Sequence, residues 1–429
     1  MPRKAFHCLI GLVILVLLAH WQCPQVMQLL PILEQHGRLG GDYHNLYYGL
    51  KALHSGVCIY DDQAYFAFCE AQQTGHQATA IFNPPAFFLL MEPFGGTDFL
   101  SSFWAFELTS GLLALISLVM LCLALWRSRA LALSAAGLAW VVLLNSPQGV
   151  DNLALGQLGY WLVSAFILNW LFDQWNRPAV ASFFLTWAIF LKMWPILLLA
   201  YFARRRRWKV VLYTFVWLAF FGLIQLGRLG VPLHLAYVRH FGSTGLSTGV
   251  MSQSIIGVLT TWFGAKVMPL ATSLNLVFMV LGLSLLWKSS AGLAGCTPQA
   301  ARQRQLLEYS CYLLLALMCS AWSWPHHRLI WILPILALSA TCELEADDQP
   351  RGPWNLALFA LCFYWVFDGE IVQLPLMFQM HQMLGALGLG LACSAFAWFC
   401  LGYTLHKTQR QSKGTRAARP VEESPRSKT

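Results

Sequence analysis

Charged residues are scarce in this chain of 429 residues: they form 11% of it, whereas hydrophobic residues form 57%. Soluble domains usually carry about 25% charged residues, so the composition excludes an ordinary soluble protein and indicates a polytopic membrane protein. The formal net charge of +9 could suggest a nucleic-acid partner. The basic residues, however, occur in short clusters between apolar segments and near the C-terminus, as in cytoplasmic loops, so no nucleic acid is expected.

Zinc-ligand spacings are also missing from the sequence. The twelve cysteines include no C-x-x-C pair and no His/Cys group of the kind that binds zinc, so we expect neither a metal nor a cofactor. Most of the cysteines lie in apolar segments, where a thiol packs as a small apolar side chain. Cys58 and Cys69 share a loop predicted to lie outside the cytoplasm, and the sequence leaves open whether they form a disulfide.

Apolar segments of spanning or near-spanning length follow one another along the chain, and several are shorter than the roughly 20 residues that a perpendicular helix needs. They predict an all-α membrane protein, a bundle of about 12 transmembrane helices with a range of about 10 to 13. The segments are residues 6–23, 99–126, 131–145, 158–175, 179–191, 195–203, 208–227, 266–287, 306–322, 329–342, 354–367 and 379–404.

The distribution of basic residues predicts the orientation. With the N-terminus in the cytoplasm, 21 of the 28 Lys and Arg residues fall in cytoplasmic segments, as the positive-inside rule requires. We therefore expect a multi-pass protein of the cell membrane with both termini in the cytoplasm, its first apolar run being retained as a span. Residues 1–405 would form the transmembrane domain, and the polar, basic residues 406–429 a disordered tail.

Two outer loops carry short apolar stretches that are candidates for interfacial helices. The first extracytoplasmic loop is long enough for two or three such helices. One candidate is the stretch of residues 83–94, which has prolines near both ends and is too short to span the membrane. Residues 252–264 form a second candidate, in the loop 228–265.

Asp42, in "GGDYHNLYYGLKALHSG", is the leading candidate site residue. Ionisable residues beside the hydrocarbon layer are costly and usually line a cavity or a pathway. The same carboxylate could instead serve as the N-cap of a helix from Tyr43 to His54, and the two roles are compatible.

Lys192 lies between two short apolar halves, with Pro195 marking the start of the second. A Lys ammonium and the free N–H groups of a helix start both favour anions, so this position could hold a phosphate. The alternative is a lysine that extends to the membrane interface to reach water.

A third polar group is His326, His327 and Arg328, in "WSWPHHRLIWILP", a very short outer loop. A histidine can bind or orient a carboxylate, and an arginine binds phosphate in a bidentate manner. Interfacial aromatic residues would explain the tryptophans but not the whole cluster. The remaining polar residues predicted on the outer face are Asp151, Gln157 and Gln253.

Six stretches follow one another along the chain: "DYHNLYYGLKALHSGVCIYD", "FNPPAFFLLMEPFG", "LALGQLGYWLVSAFIL", "LKMWPILLLAYFARRRRWK", "SQSIIGVLTTWFG" and "WSWPHHRLIWILP". Taken in this order, they resemble the successive motifs of glycosyltransferase family 87, the polyprenol-phosphate-mannose-dependent α-mannosyltransferases. The resemblance implies the GT-C superfold, an acid in the first outer loop, a polyprenyl-phosphate-sugar donor, and inverting transfer that needs no metal. Departures are Phe82-Asn83, where a Tyr is common before the prolines, and "YDDQ", which leaves Asp61 and Asp62 as rival acids.

By this resemblance Asp42 matches the essential acid of the family, and His326 or His327 its functional histidine, without deciding between the two. Transfer from a lipid phosphate needs a base for the acceptor hydroxyl and cations for the departing phosphate. Asp42 would supply the base, and the cations would come from the basic residues Lys192, Arg328 and Arg239. Tyr43, Tyr47, Asn83, Asp151, Gln157 and Gln253 are the candidate substrate-binding residues.

The expected function is therefore transfer of a hexose, mannose by the resemblance, to a cell-envelope glycolipid or glycan on the extracytoplasmic face. A lipid-linked sugar flippase or another transporter is the first alternative, with Asp42 and Lys192 as a proton relay or counter-ions. The long first loop and the lack of an inverted repeat of broken helices disfavour it. A non-catalytic membrane subunit is the second alternative. The sequence does not define the donor sugar, the acceptor, the linkage or the oligomeric state.

Overall fold

The computed structural model describes residues 40–72, 79–96, 98–244, 254–289, 297–320 and 325–341. Within these ranges every regular element is an α-helix or a short 3-10 helix. This confirms the all-helical prediction for the described part of the chain. The predicted spans 6–23, 354–367 and 379–404 and the tail 406–429 lie outside it.

The first predicted loop contains three described helices, α1 to α3. Asp61 accepts a hydrogen bond from the Ala64 N–H at 3.2 Å and so caps the second of them. Pro84 and Pro85 fix the backbone at the start of the third, where a missing N–H costs nothing. The bounds are α1 Gly41–His54, α2 Asp62–Ala71 and α3 Pro85–Met91, the last followed by a 3-10 turn, Glu92–Phe94.

Eleven further helices, α4 to α14, follow within the described ranges. They are α4 Phe99–Leu125, α5 Arg129–Asn145, α6 Pro147–Leu155, α7 Gly159–Gln174, α8 Pro178–Leu191, α9 Leu198–Arg204, α10 Trp208–Thr244, α11 Ile255–Phe263, α12 Met268–Ser289, α13 Pro298–Cys319 and α14 Ile332–Thr341. Short 3-10 helices precede α9, α12 and α14 at Trp194–Leu197, Ala265–Val267 and Pro325–Trp331.

Three of the described helices are long and apolar enough to cross a membrane: Phe99–Leu125, Trp208–His240 and Ala265–Lys288. A fourth crossing is possible if the pair Arg129–Leu144 and Gln148–Leu155, bent by 64°, counts as one. Other apolar helices, such as α8, are shorter, as the sequence predicted. These findings agree with a helical membrane protein and leave the predicted number of about twelve spans a prediction.

Helix α7 lies at the centre of the described bundle. All but two of its sixteen residues are buried, and it packs against α4, α8 and the 3-10 helix Pro325–Trp331. Helix α10, by contrast, exposes a row of large apolar side chains, among them Leu212, Phe220 and Leu223. A helix that is apolar all round and partly uncovered is what a lipid-facing position requires.

Two boundaries differ from the sequence prediction. Helix α10 continues past residue 227 to Thr244, across a break at Gly230, whose φ of 76° is left-handed. Glycine adopts this conformation without steric cost, so one helical segment ends at Gly230 and a second follows it after a kink. Helix α13 begins at Pro298, capped by Thr297, two turns before its apolar run at 306. Its first turns are polar, and periodicity of apolar residues could not reveal them.

Two acids are paired with arginines near the end of α7 that carries Asp173. The Asp173 carboxylate lies 3.3 Å from the guanidinium of Arg207, and Glu308 lies 3.6 Å from Arg205. Both carboxylates are almost fully buried. These ion pairs hold the chain after α9 against α7 and α13.

Candidate functional site

The residue before helix α1 contacts the backbone of helix α6. Its N-cap residue, Gly40, has a left-handed φ of 70°, and its N–H donates to the Ala154 carbonyl of α6 at 2.7 Å. A Cβ at Gly40 would lie 3.0 Å from the ring of Phe99. The N-cap makes no side-chain hydrogen bond, and Asp42 lies within the first turn. The alternative that Asp42 is the N-cap is therefore wrong, because the helix begins one residue before it.

A second glycine allows the loop after α6 to pack closely against the first turn of α1. Gly156 has a φ of 70°, and a Cβ there would lie 2.4 Å from the Cβ of Tyr43. Only glycine allows both this conformation and this approach. The next residue, Gln157, is consequently held beside Asp42.

Gln157 and Asp42 are hydrogen-bonded: the amide Nε2 donates to the carboxylate Oδ2. Asn152 fixes the loop that presents the amide, because its carbonyl accepts from the Gln157 N–H at 2.9 Å and its Oδ1 from the Gly159 N–H at 2.7 Å. The Asn152 side chain is fully buried. The sequence analysis named Gln157 but missed Asn152, and one Asn in a polar stretch gave no signal for this role.

Lys192 lies at the predicted break. Helix α8 ends at Leu191, Lys192 is extended, and the 3-10 helix Trp194–Leu197 follows, with Pro195 as its second residue. The Lys192 charge acts on Asp42: burial raises the pKa of the Asp42 carboxyl above its ordinary value, and Lys192 opposes part of that shift. The structure thus places Gln157 in contact with Asp42 and Lys192 within electrostatic range of it, three residues that the sequence had suggested separately.

The two tyrosines predicted to bind substrate are buried residues of α1 itself. Tyr43 donates to or accepts from Ser102 at 2.5 Å, and its ring centroid lies 5.0 Å from that of Phe106. Tyr47 is also buried, and the Lys51 ammonium lies 4.4 Å from its ring centroid. In this structure both rings anchor α1 to the bundle, and contact with a substrate stays a prediction.

The predicted histidine and arginine group lies in the 3-10 helix Pro325–Trp331, which packs against α6 and α7. The side chains of His327 and Arg328 are almost completely buried. The Arg328 guanidinium lies 5.0 Å from the ring centroid of Trp331. The group therefore contacts the two helices that the Gln157 loop joins. The side chain of His326 lies outside the described part of the structure.

The other predicted residues are dispersed. The Asn83 carbonyl accepts from the Tyr60 hydroxyl at 2.7 Å, in the first loop. Asp151 is partly buried on α6, and Arg239 is exposed on the last turns of α10. No described contact links Asn83 or Arg239 to Asp42. Gln253 lies outside the described residues.

The rival acids have other partners. Asp61 caps α2, as described above, and is exposed. Asp62 lies 3.9 Å from Nδ1 of His240, near the end of α10. Tyr60 packs against Tyr237 in the same cluster, with their ring centroids 5.1 Å apart and the rings tilted by 55°. These contacts join the first loop to α10. Cys58 and Cys69 are free thiols in the structure.

Glu107 is a buried acid that the sequence analysis missed. It lies on α4 with 3% of its surface exposed, and neither carboxylate oxygen has a hydrogen-bond partner among the described residues. The hydroxyls of Tyr43 and Tyr160 are within electrostatic range of it. The signal was available, because Glu107 is the one acid in the apolar run "FLSSFWAFELTSGLLALISLVMLCLAL".

The Asp42 arrangement suits proton transfer next to an anion. A partly buried carboxylate with a raised pKa is a stronger base than an exposed one. A lysine at the end of a helix can stabilise negative charge on a departing group. Gln157 fixes one carboxylate oxygen by a hydrogen bond that does not remove the negative charge. Asp42, Gln157 and Lys192 are called the Asp42 site below.

Comparisons with known proteins point to one family. A curated polyprenol-phosphate-mannose-dependent alpha-(1-2)-phosphatidylinositol mannoside mannosyltransferase from Mycolicibacterium smegmatis (strain ATCC 700084 / mc(2)155) is 26% identical over 277 residues. The match covers 64% of this chain and 60% of that relative's length. No solved structure matches the chain.

The sequence model described as glycosyltransferase family 87 matches residues 82–323, more than half of the chain. The matched region includes the Gln157 loop and Lys192, whereas Asp42 precedes it. The chain belongs to glycosyltransferase family 87.

Proposed function

We propose that this protein is an integral-membrane glycosyltransferase that moves mannose from a polyprenyl-phosphate carrier to a cell-envelope glycolipid or glycan on the extracytoplasmic face. The family and the name of the mycobacterial relative support this donor. The observation that carries the proposal is the convergence of Asp42, Gln157 and Lys192, which come from three separate parts of the chain.

In the proposed reaction Asp42 takes the proton of the acceptor hydroxyl. The hydroxyl oxygen attacks the anomeric carbon, and the bond between that carbon and the phosphate oxygen breaks. The electron pair of that bond leaves with the polyprenyl phosphate, whose charge Lys192 stabilises. The sugar passes directly from donor to acceptor, and its configuration at the anomeric carbon inverts.

The electrostatics of the site support a base at Asp42. Burial raises the pKa of the Asp42 carboxyl and so makes the carboxylate a stronger base, and Lys192 opposes part of that shift by favouring the ionised form. Gln157 is neutral, and its hydrogen bond orients the carboxylate without compensating the charge. A carboxylate that an arginine fully paired would be a poorer proton acceptor.

The test is transfer by the purified full chain from radiolabelled polyprenyl-phosphate-mannose to an envelope lipid extract. Wild type should transfer label from this donor and not from a nucleotide sugar. Asp42→Asn keeps the shape of the side chain and cannot accept the proton, so transfer should fall by about 10² to 10⁴-fold, the usual contribution of a general base.

Asp61→Asn is the matched control. Asp61 is an acid of the same loop, but its carboxylate caps α2, and Asn caps a helix about as well as Asp. Asp61→Asn should therefore transfer mannose like wild type. Full activity in Asp42→Asn, or its loss in Asp61→Asn, would contradict the assignment of the base. Movement of the carrier across vesicles without any transfer of label would indicate a flippase instead.

A further inference from the structure

The ends of the three long apolar helices meet at one surface of the described bundle. The carbonyl of Leu125, the last residue of α4, accepts a hydrogen bond from α13 at 3.2 Å. The carboxylate of Glu308, also on α13, lies 3.6 Å from Arg205 in the segment that joins α9 to α10. Arg204 donates from its guanidinium to the carbonyl of Trp287, near the end of α12. Because α4, α10 and α12 are long enough to cross a membrane, their shared end marks a boundary between hydrocarbon and water.

This surface carries cations that no described acid balances. Arg206, Lys209 and Lys288 are exposed, and none of the three forms an ion pair within the described ranges. Lys288 joins the other two because it follows Trp287, which the Arg204 guanidinium contacts. The two acids at the Asp173 end are already paired with other arginines. The three cations, called the Arg206 patch below, therefore leave a positive surface that favours anions.

Exposed tryptophans lie beside the Arg206 patch. Trp208, the first residue of α10, is 59% exposed, and Trp287 is 47% exposed. Tryptophan rings are enriched at the level of lipid headgroups, because one edge is polar and the rest is apolar. Cations between such rings are positioned for the headgroup layer of a membrane.

Arg206 has a backbone conformation that arginine rarely adopts. Its φ of 55° is left-handed, and the helix end before it is closed by hydrogen bonds from Arg207 to Phe202 and from Arg206 to Ala203, at 2.8 and 3.0 Å. Helix α7 ends in the same way, with Asn176 at a φ of 55°. Glycine and asparagine are the usual residues there. An arginine in this position lowers stability where asparagine would serve, which indicates that its charge has a use.

We propose that the Arg206 patch binds the headgroups of anionic phospholipids in the leaflet at this surface. A guanidinium binds phosphate oxygens in a bidentate manner, and the two lysines add point charges. A bound phospholipid would bridge the α9–α10 junction and the end of α12. The patch lies at the opposite end of α7 from the Asp42 site, so this inference is independent of the proposed function.

The test counts the phospholipids that the purified full-length protein retains in a neutral detergent, by native mass spectrometry. Phosphatidylglycerol and phosphatidylcholine with the same acyl chains are compared. Wild type should bind phosphatidylglycerol at least about fivefold more tightly, because each cation near an anionic lipid contributes at least this factor. Equal retention of the two lipids would overturn the inference. Full displacement by an equal concentration of glycerol phosphate would also overturn it, because the patch would then bind a soluble anion.

Two lysines at opposite ends of one apolar helix form a matched pair of variants. Lys288→Gln removes a charge of the patch, whereas Lys266→Gln removes an exposed charge from the turn before α12, at the far end of the same candidate span. Lys288→Gln should lose about fivefold in affinity for phosphatidylglycerol, or about 1 kcal/mol. Lys266→Gln should bind it like wild type. Equal affinities of the two variants would overturn the inference.

Arg206→Asn tests the charge and the backbone together. Asparagine adopts the left-handed conformation more readily, so without phosphatidylglycerol this variant should melt at a higher temperature than wild type. Its affinity for phosphatidylglycerol should nevertheless fall about fivefold, whereas Arg206→Lys, which keeps the charge, should retain most of it. Wild-type affinity in Arg206→Asn, or a lower melting temperature, would overturn the inference, because the arginine would then serve the fold and not the lipid.

Discussion

An acid lies near each end of α7, the buried Asp173 at one end and the partly buried Asp42 of α1 at the other, and the two acids have different partners. Near the end with Asp173, two carboxylates lie 3.3 and 3.6 Å from arginines. At the other end, Asp42 accepts a hydrogen bond from the neutral amide of Gln157 and interacts with Lys192. Gln157 and Asp173 are sixteen residues apart, about 24 Å along a helix, so the two groups are independent.

This difference in partners suggests that the Asp173 end stabilises the fold and that the Asp42 end takes part in the reaction. A buried carboxylate beside an arginine is held by its ion pair, and removal of either partner leaves an uncompensated charge. The Asp42 carboxylate is oriented by a neutral donor. It can therefore change protonation during a reaction without breaking an ion pair with an arginine. We expect mutations at the Asp173 end to lower stability and mutations at the Asp42 end to lower activity.

The largest expected effect in this comparison, after that of Asp42 itself, comes from Lys192→Met. It should lower transfer about ten- to hundredfold, because a charge-assisted contact to the phosphate is worth about 1.5 to 3 kcal/mol. Lys192→Arg should keep part of the activity. Steady-state kinetics with varied donor concentration measure both. Wild-type kinetics in Lys192→Met would show that Lys192 does not bind the phosphate, and would favour the alternative in which its side chain extends to the membrane interface.

At the other end, Glu308→Gln should destabilise the protein by about 1 to 3 kcal/mol while each folded molecule stays active. Loss of one partner of a buried pair costs about 3 to 5 kcal/mol, and the cost here is lower because Arg205 remains 16% exposed. Glu92→Gln is the matched control, since its pair with the exposed Arg228 is worth about 0 to 1 kcal/mol. Thermal unfolding in detergent measures both. Equal melting temperatures for these two variants would remove the structural role of Glu308.

The glycine contact can be tested with two alanines. Gly156→Ala and Gly56→Ala share a left-handed φ, 70° and 77°, so both have a backbone cost of about 1 to 2 kcal/mol. Only at Gly156 would the new Cβ collide with Tyr43, whereas nothing lies within 4 Å at Gly56. Gly156→Ala should therefore melt lower and transfer less, because Gln157 moves away from Asp42. Identical behaviour of the two variants would show that the close contact is unimportant.

The smallest expected effect is a shift of the pH profile. The base acts in its ionised form, so kcat/KM should fall as the pH drops through the raised pKa of Asp42. Removal of the Lys192 charge takes away the influence that lowers this pKa. The acidic limb of the profile should therefore move to higher pH in Lys192→Met. A limb that stays in place, or moves to lower pH, would show that Lys192 does not act on the base.

Much of the fold could be predicted from the sequence. Helices α4 and α8 begin and end within one residue of their predicted apolar runs, because Asp98, Arg127, Arg177 and Pro178 limit those runs. The start of α13 and the continuation of α10 past Gly230 could not be predicted in this way. Both depend on tertiary packing of segments whose local pattern is polar or contains a helix breaker.

The members of the candidate site could be predicted, but their geometry could not. Asp42, Gln157 and Lys192 stand out as polar residues in an apolar chain. The contact between Asp42 and Gln157 depends on Gly40 and Gly156, which allow a close approach of helix α1 to the loop after α6. A single sequence shows a glycine and not the close approach that requires it. For the same reason, the sequence could not show whether Tyr43 is a buried residue that anchors α1 or a residue that contacts the substrate.

The most direct test compares Asp42→Asn with Asp173→Asn in one assay of transfer rate per folded molecule, with melting temperatures measured in parallel. The account predicts that Asp42→Asn melts like wild type and transfers mannose at least about 100-fold more slowly. It predicts that Asp173→Asn melts lower and, once folded, transfers at the wild-type rate. Transfer by Asp42→Asn within a few-fold of wild type, or loss of transfer in a fully folded Asp173→Asn, would contradict it.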